Sequence, residues 1–139
     1  MPTIPYIHFD GQCAEALTTY AEIFHGTGLQ SMRYADGPGA PDHWKESDRI
    51  MHGQLTIGDG TFMASDYPPG VQGSPPAGFS VMQSTATVAE AQRVFDLLAQ
   101  GGAVIDPIKP SFFSPAFGMV RDRFGTAWII SAMPSGDPT

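Results

Sequence analysis

The sequence predicts an α+β protein built from one β-α-β-β-β unit used twice. Three observations carry this. Two stretches show the apolar stripe of a packed helix, each behind a short β-rich segment. Three further β-rich segments follow each helix. The halves also match at an offset of 75 residues: Ala14-Glu15-Ala16 falls on Ala89-Glu90-Ala91, Tyr20 on Phe95, Ile23 on Leu98 and Gly26 on Gly101.

Taken in order, "TIPYIHF" (3–9) is short, apolar and β-rich, hence a strand, and Asp10-Gly11 ends it. From Cys13 to Phe24, Ala14, Leu17, Ala21 and Phe24 recur at helical steps, with Tyr20 and Ile23 widening the stripe and Gly26 as the stop. Strands follow at 28–35, 49–57 and 60–65, the last two joined by the "GDG" turn of 58–60. The second half opens with "AGFSVMQST" (77–85). Thr87 and Glu90 then stand at capping-box spacing ahead of the stripe Val88, Ala91, Phe95, Leu98, which Gly101-Gly102 terminate. Strands at 103–109, 117–122 and 126–132 complete it. The expected organisation is a single domain, 1–139: module 1 about 1–66, a linker about 67–76, and module 2 about 77–139. The Pro/Gly-rich loops 36–48 and 66–78 are too long for tight hairpins, and Trp44 and Tyr67 mark them as the rim of a pocket.

Composition narrows the function. Seven basic against fourteen acidic residues give a net charge of −7 with no basic cluster, which argues against a nucleic-acid partner. No apolar run is long enough for a membrane span, and no secretory signal is visible. Cys13 is the only cysteine, so no internal disulfide forms and a reducing cytoplasmic setting is expected.

The segments "PYIHFDGQCAEALTTYAEIF", "IMHGQLTIGDGTFMASD" and "GMVRDRFGTAWII", in this doubled order, resemble the vicinal oxygen chelate superfamily of glyoxalases, bleomycin-resistance proteins and extradiol dioxygenases, and within it the PhnB-like branch. The resemblance implies two βαβββ modules whose curved sheets surround a shared cavity, often in a homodimer. It also implies a metal held by one residue from the first and one from the last strand of each module. Carried over, those positions are Pro5, Met63, Ser80 and Ile129. Proline and isoleucine offer no donor, and a thioether and a hydroxyl suit hard divalent ions poorly. No cofactor is therefore expected; a divalent metal enters only if the site is relocated to His52 or His8, with Asp66 as a further candidate ligand.

If Met63 faces the cavity, as the resemblance implies, strand alternation puts Thr61 and Ser65 on the same side. Pairing Ile57 with Phe62 adds His52, Gln54 and Thr56, and sends Leu55, Ile57, Phe62 and Ala64 to the core. Ser80, Met82 and Ile129 line the cavity from the other module, with Trp128 and Ile130 in the core. His52, flanked by Gln54 and opposite Ser65 or Tyr67, is the acid/base candidate. His8 has the wrong parity if Pro5 has the right one, and reaches the cavity only through a bulge. His25 closes a helix and His43 sits in a loop. Cys13 at a helix start reads as structural. No nucleophile elbow, P-loop or dinucleotide fingerprint is present. The expected function is small-molecule binding or sequestering without the usual metal ligands; the alternative is a lyase, isomerase or oxygenase with a relocated metal site.

Overall fold

In the computed structural model, residues 1–134 are described. The elements run β1 (Tyr6–Phe9), α1 (Cys13–Phe24), β2 (Thr27–Arg33), β3 (Ile50–Ile57), β4 (Gly60–Asp66), β5 (Val81–Thr85), α2 (Val88–Ala99), β6 (Ala103–Lys109), β7 (Phe117–Arg121) and β8 (Ala127–Ala132), with two single-turn 3₁₀ helices at Tyr34–Asp36 and Asp42–Trp44. They form two compact units, the first Met1–Pro76 and the second beginning at Ala77.

Each unit is a four-stranded sheet with one helix, in the orders β1-β4-β3-β2 and β5-β8-β7-β6. The first and last strands of each unit pair in parallel and the other neighbours pair antiparallel. The repeat is reproduced in element order: α1 shifted by 75 coincides with α2, whereas β7 and β8 begin 67 residues after β3 and β4. The matched pairs Tyr20/Phe95 and Ile23/Leu98 are all buried.

The first core forms where Ile7, Phe9, Leu55, Phe62 and Ala64 meet Leu17 and Tyr20 of α1, with Tyr20 edge-on to Phe62 at 5.4 Å. Trp128, Ile130 and Val120 do the same against Phe95 and Leu98. Core parity is as expected, but the hairpin register differs: Leu55 pairs with Phe62 and Ile57 with Gly60. The shift is two residues, so every side chain keeps its face. The β1 strand is shorter than expected: its bonding begins at the Pro5 carbonyl, which accepts from Met63 N–H at 3.1 Å, and Tyr6 is the first paired residue.

The helix ends also refine the expectation. Thr87 caps α2 through its hydroxyl, which accepts from Glu90 N–H at 3.1 Å. The left-handed residue closing α1 is His25 (φ 53°), ahead of Gly26.

Candidate functional site

The helix-free face of the first sheet gathers the chemistry. In β1, Ile7 and Phe9 go to the core, which turns Tyr6 and His8 to the other side. Cross-strand pairing then sets Tyr6 beside Met63 and His8 beside Ser65. On the other flank, Gln54 pairs with both Met63 and Gln30, and His52 pairs with Met32. One row thus reads Gln30, Gln54, Met63, Tyr6 across four strands.

The rings on this face form a continuous series. His52 and Tyr6 lie 5.7 Å apart between centroids, Tyr6 and His8 5.3 Å, and His8 and Tyr67 5.4 Å. Tyr6 Oη sits 3.0 Å from His52 Nδ1, and His8 Nδ1 lies 3.1 Å from Ser65 Oγ. Beside them is a hollow of about 190 Å³ lined by Gln30, Ser31, Met32, His52 and Gln54.

Tyr67 is held in place from the linker side. Its hydroxyl donates to the Ser74 carbonyl at 3.1 Å, and Gly73 comes so near its ring that a Cβ there would collide with it. Trp44, the other aromatic expected at a rim, packs edge-on against Tyr34 at 4.9 Å. It belongs to the loop's own packing.

Several expectations change. His8 reaches the helix-free face without a bulge, because the strand begins at Tyr6 and Pro5 does not set its parity. The partners expected for His52 go elsewhere: Ser65 and Tyr67 both engage His8, and His52 meets Tyr6. Tyr6, Gln30 and Met32 were not foreseen. The signal for Tyr6 was present in the alternation of apolar Ile7 and Phe9 with Tyr6 and His8.

Asp66 does not join the histidines. It is buried, with Oδ1 accepting from Gly11 N–H (2.8 Å) and Cys13 N–H (2.9 Å), and Oδ2 from Ile50 N–H (2.9 Å). Its carboxylate caps α1 and pins the start of β3, so the relocated set His8, His52 and Asp66 is not assembled. Among the described residues no three His, Cys, Asp or Glu side chains are grouped to hold a metal ion.

The inherited ligand positions fit no hard cation either. Met63 lies in the row between Gln54 and Tyr6. Pro5 precedes β1 with its carbonyl already bonded, and Ser80 precedes β5. Ile129 lies on the helix-free face of the second sheet between Met82 and Met119, a thioether and aliphatic row in which Met82 is 56% exposed.

Behind the first face, burial and the nearby Asp66 carboxylate push the Cys13 thiol up to about 12. It is an inert core group, as the sequence suggested. Burial likewise raises Tyr34, whose hydroxyl donates to the Asp66 carbonyl at 2.7 Å.

The sequence profile of a family described as 3-demethylubiquinone-9 3-methyltransferase matches residues 2–131. A curated relative, Protein YjdN of Escherichia coli (strain K12), is 28% identical over 96% of each chain. The crystal structure of protein PA1353 from Pseudomonas aeruginosa superposes with a TM-score of 0.86 at 37% identity, over 96% of this chain and 98% of that one. A putative 3-demethylubiquinone-9 3-methyltransferase, PhnB protein, from Bacillus cereus gives 0.74 at 24% identity, over 95% and 99%. A glyoxylase/bleomycin resistance protein/dioxygenase domain from Frankia sp. EAN1pec shares the fold, with a TM-score of 0.62 at 14% identity over 96% and 98%.

Proposed function

The chain belongs to the PhnB-like family of the vicinal oxygen chelate fold, and from that premise we propose that it binds or sequesters a small molecule on the helix-free face of its first sheet. The observation that carries this is the hollow of about 190 Å³ beside the Tyr6–His52 contact. Mixed linings of this kind, thioether and ring surface with a few convergent polar groups, are what small-ligand sites present. His52 and Gln54 supply it in the first unit, and Met63 and Ser65 lie farther along the same face. In the second unit Met82 and Ile129 form an apolar pair, with Ser80 just ahead of β5 as a polar neighbour.

Metal-free binding is the form of the proposal, because the inherited positions hold Pro5, Met63, Ser80 and Ile129. The methyl transfer in the family's description is not carried over. Each sheet here is mixed, with one parallel and two antiparallel pairings. A parallel doubly wound sheet is the usual cradle of a nucleotide-type cofactor. The setting proposed is cytoplasmic and the active form a homodimer. No helix among the described residues is long and apolar enough to cross a membrane.

A fragment screen followed by protein-observed NMR tests the reading. Hits should perturb His52, Gln54 and Met32 and be lost in His52→Ala. Hits that all map away from this face, or a screen with none, overturn it. Elemental analysis of untagged protein should find far less than one divalent metal per chain; one equivalent would refute the metal-free form.

A further inference from the structure

Resting on that binding reading, we propose that Tyr6 is a positioning residue that keeps the ring proton of His52 on Nε2. The hollow then takes a flat, uncharged ligand that offers a carbonyl-type acceptor to that N–H.

The geometry supplies each step. Tyr6 Oη and His52 Nδ1 are 3.0 Å apart. A neutral imidazole has one donor and one acceptor nitrogen, and a phenol is the better donor of this pair. Tyr6 O–H therefore donates to the Nδ1 lone pair, and the ring hydrogen is left on Nε2. His52 lines the hollow, so that N–H is available to whatever enters. A ligand carbonyl completes a chain from phenol to imidazole to ligand, in which each hydrogen bond polarises the next.

Charge is decided by what surrounds the hollow. Gln30, Ser31, Met32, His52 and Gln54 line it, with no Lys, Arg, Asp or Glu among them. The one arginine beside them in β2, Arg33, forks onto Asp36 at 2.9 and 3.0 Å. An ion entering would lose hydration without gaining a counter-charge, which is costly. Gln30 and Gln54, paired across β2 and β3, can each both donate and accept at the edge of a neutral ring. The Met32 sulfur suits an aromatic face. Flatness follows from the ring series His52, Tyr6, His8, Tyr67 beside the hollow. The volume lies below the ~300–1,000 Å³ usual for ligand pockets and so suits one or two fused rings.

Three probes test the class: coumarin (flat, neutral, with a lactone carbonyl), coumarin-3-carboxylate (the anion) and naphthalene (flat, without an acceptor). Titration followed by the ¹⁵N resonances of His52 should show coumarin binding about tenfold tighter than its carboxylate. Tyr6→Phe should fold normally, since Tyr6 is 41% exposed. It should weaken coumarin by about three- to tenfold, the worth of one hydrogen bond, and leave naphthalene unchanged. The His52 ¹⁵N shifts should move towards mixed tautomers in the same variant. A carboxylate that binds as tightly as coumarin overturns the charge class. A Tyr6→Phe variant with unchanged coumarin affinity or unchanged tautomer overturns the positioning role. If coumarin fails while a charged fragment binds at His52, the ligand class falls and the binding reading stands. If no compound of any kind perturbs His52, both fall.

Discussion

Single side chains in this protein do the work of several contacts, and Asp66 is the sharpest case. One carboxylate accepts three backbone N–H bonds, from the turn after β1, the first residue of α1 and the first residue of β3. It also stands where the positive end of the α1 dipole favours an anion. Asp66→Ala would leave three donors with no partner in a buried place. A loss of ~3–5 kcal/mol in the urea unfolding free energy is expected, at ~1–3 for each orphaned group with partial relaxation. A change under 1 kcal/mol would show that the carboxylate is not the knot described. Asp122 plays a similar part in the second unit, accepting from Phe124 and Thr126 N–H and from Trp128 Nε1 at 2.8 Å.

Cys13, next to Asp66, gives a prediction in pH. Its thiol is raised from 9.0 to about 12 in the folded chain. The folded state therefore holds a proton that the unfolded state releases between about pH 9 and 12. Stability from this group is intact below pH 9 and declines as pH rises through that window, by up to ~4 kcal/mol. Comparison of wild type with Cys13→Ala should show a steeper alkaline loss in wild type, with iodoacetamide leaving native Cys13 unmodified at pH 8. Rapid alkylation under native conditions would contradict it.

At the scale of elements, both helices lie close on their sheets through strand glycines. A Cβ on Gly53 of β3 would stand 2.4 Å from Leu17 Cδ1, and one on Gly118 of β7 would stand 2.7 Å from Phe95 Cε2 and 2.9 Å from the Ile108 Cα. The two glycines thus admit residues one helical turn apart in the repeat, a leucine in one helix and an aromatic in the other. A leucine tip can yield, whereas backbone cannot. Gly118→Ala should therefore cost more than Gly53→Ala, both within the ~1–3 kcal/mol of an overpacked core. Urea midpoints decide it, and a reversed order would mean that the neighbouring strand moves more freely than Leu17.

For the whole molecule, the question is what meets the strand edges. β2 and β6 end their sheets, with exposed residues such as Leu29, Met32, Val104 and Ile105 along them. Exposed apolar edges of this length invite pairing with another chain. A homodimer is the expected species in sedimentation at micromolar concentration, and a clean boundary near 14.8 kDa would refute it. The net charge of −7 adds mutual repulsion, so association should strengthen as salt rises.

The doubled βαβββ order, the extent of both helices and the core-facing residues of β3, β4 and β8 were legible without a structure. Those features follow from periodicity, which is written locally in the chain: apolar residues recur every two or every three to four positions wherever one face is buried. The two-residue slip in the β3–β4 hairpin was invisible because alternation fixes parity and leaves register in steps of two open. The site was only half legible. His52, Gln54, Met63 and Ser65 were placed on one face by that same parity, whereas His8 was misplaced by taking the parity of β1 from Pro5 and Tyr6 went unremarked. Alternation within β1 marks Tyr6 and His8 as one side, but only the parallel pairing of β1 with β4, a contact between residues some 57 positions apart such as His8 and Ser65, set that side beside the site. The fate of Asp66 was equally hidden, because a carboxylate at a strand end can serve a metal or a helix cap. The choice was made by the backbone N–H groups that folding brought within 3 Å of it.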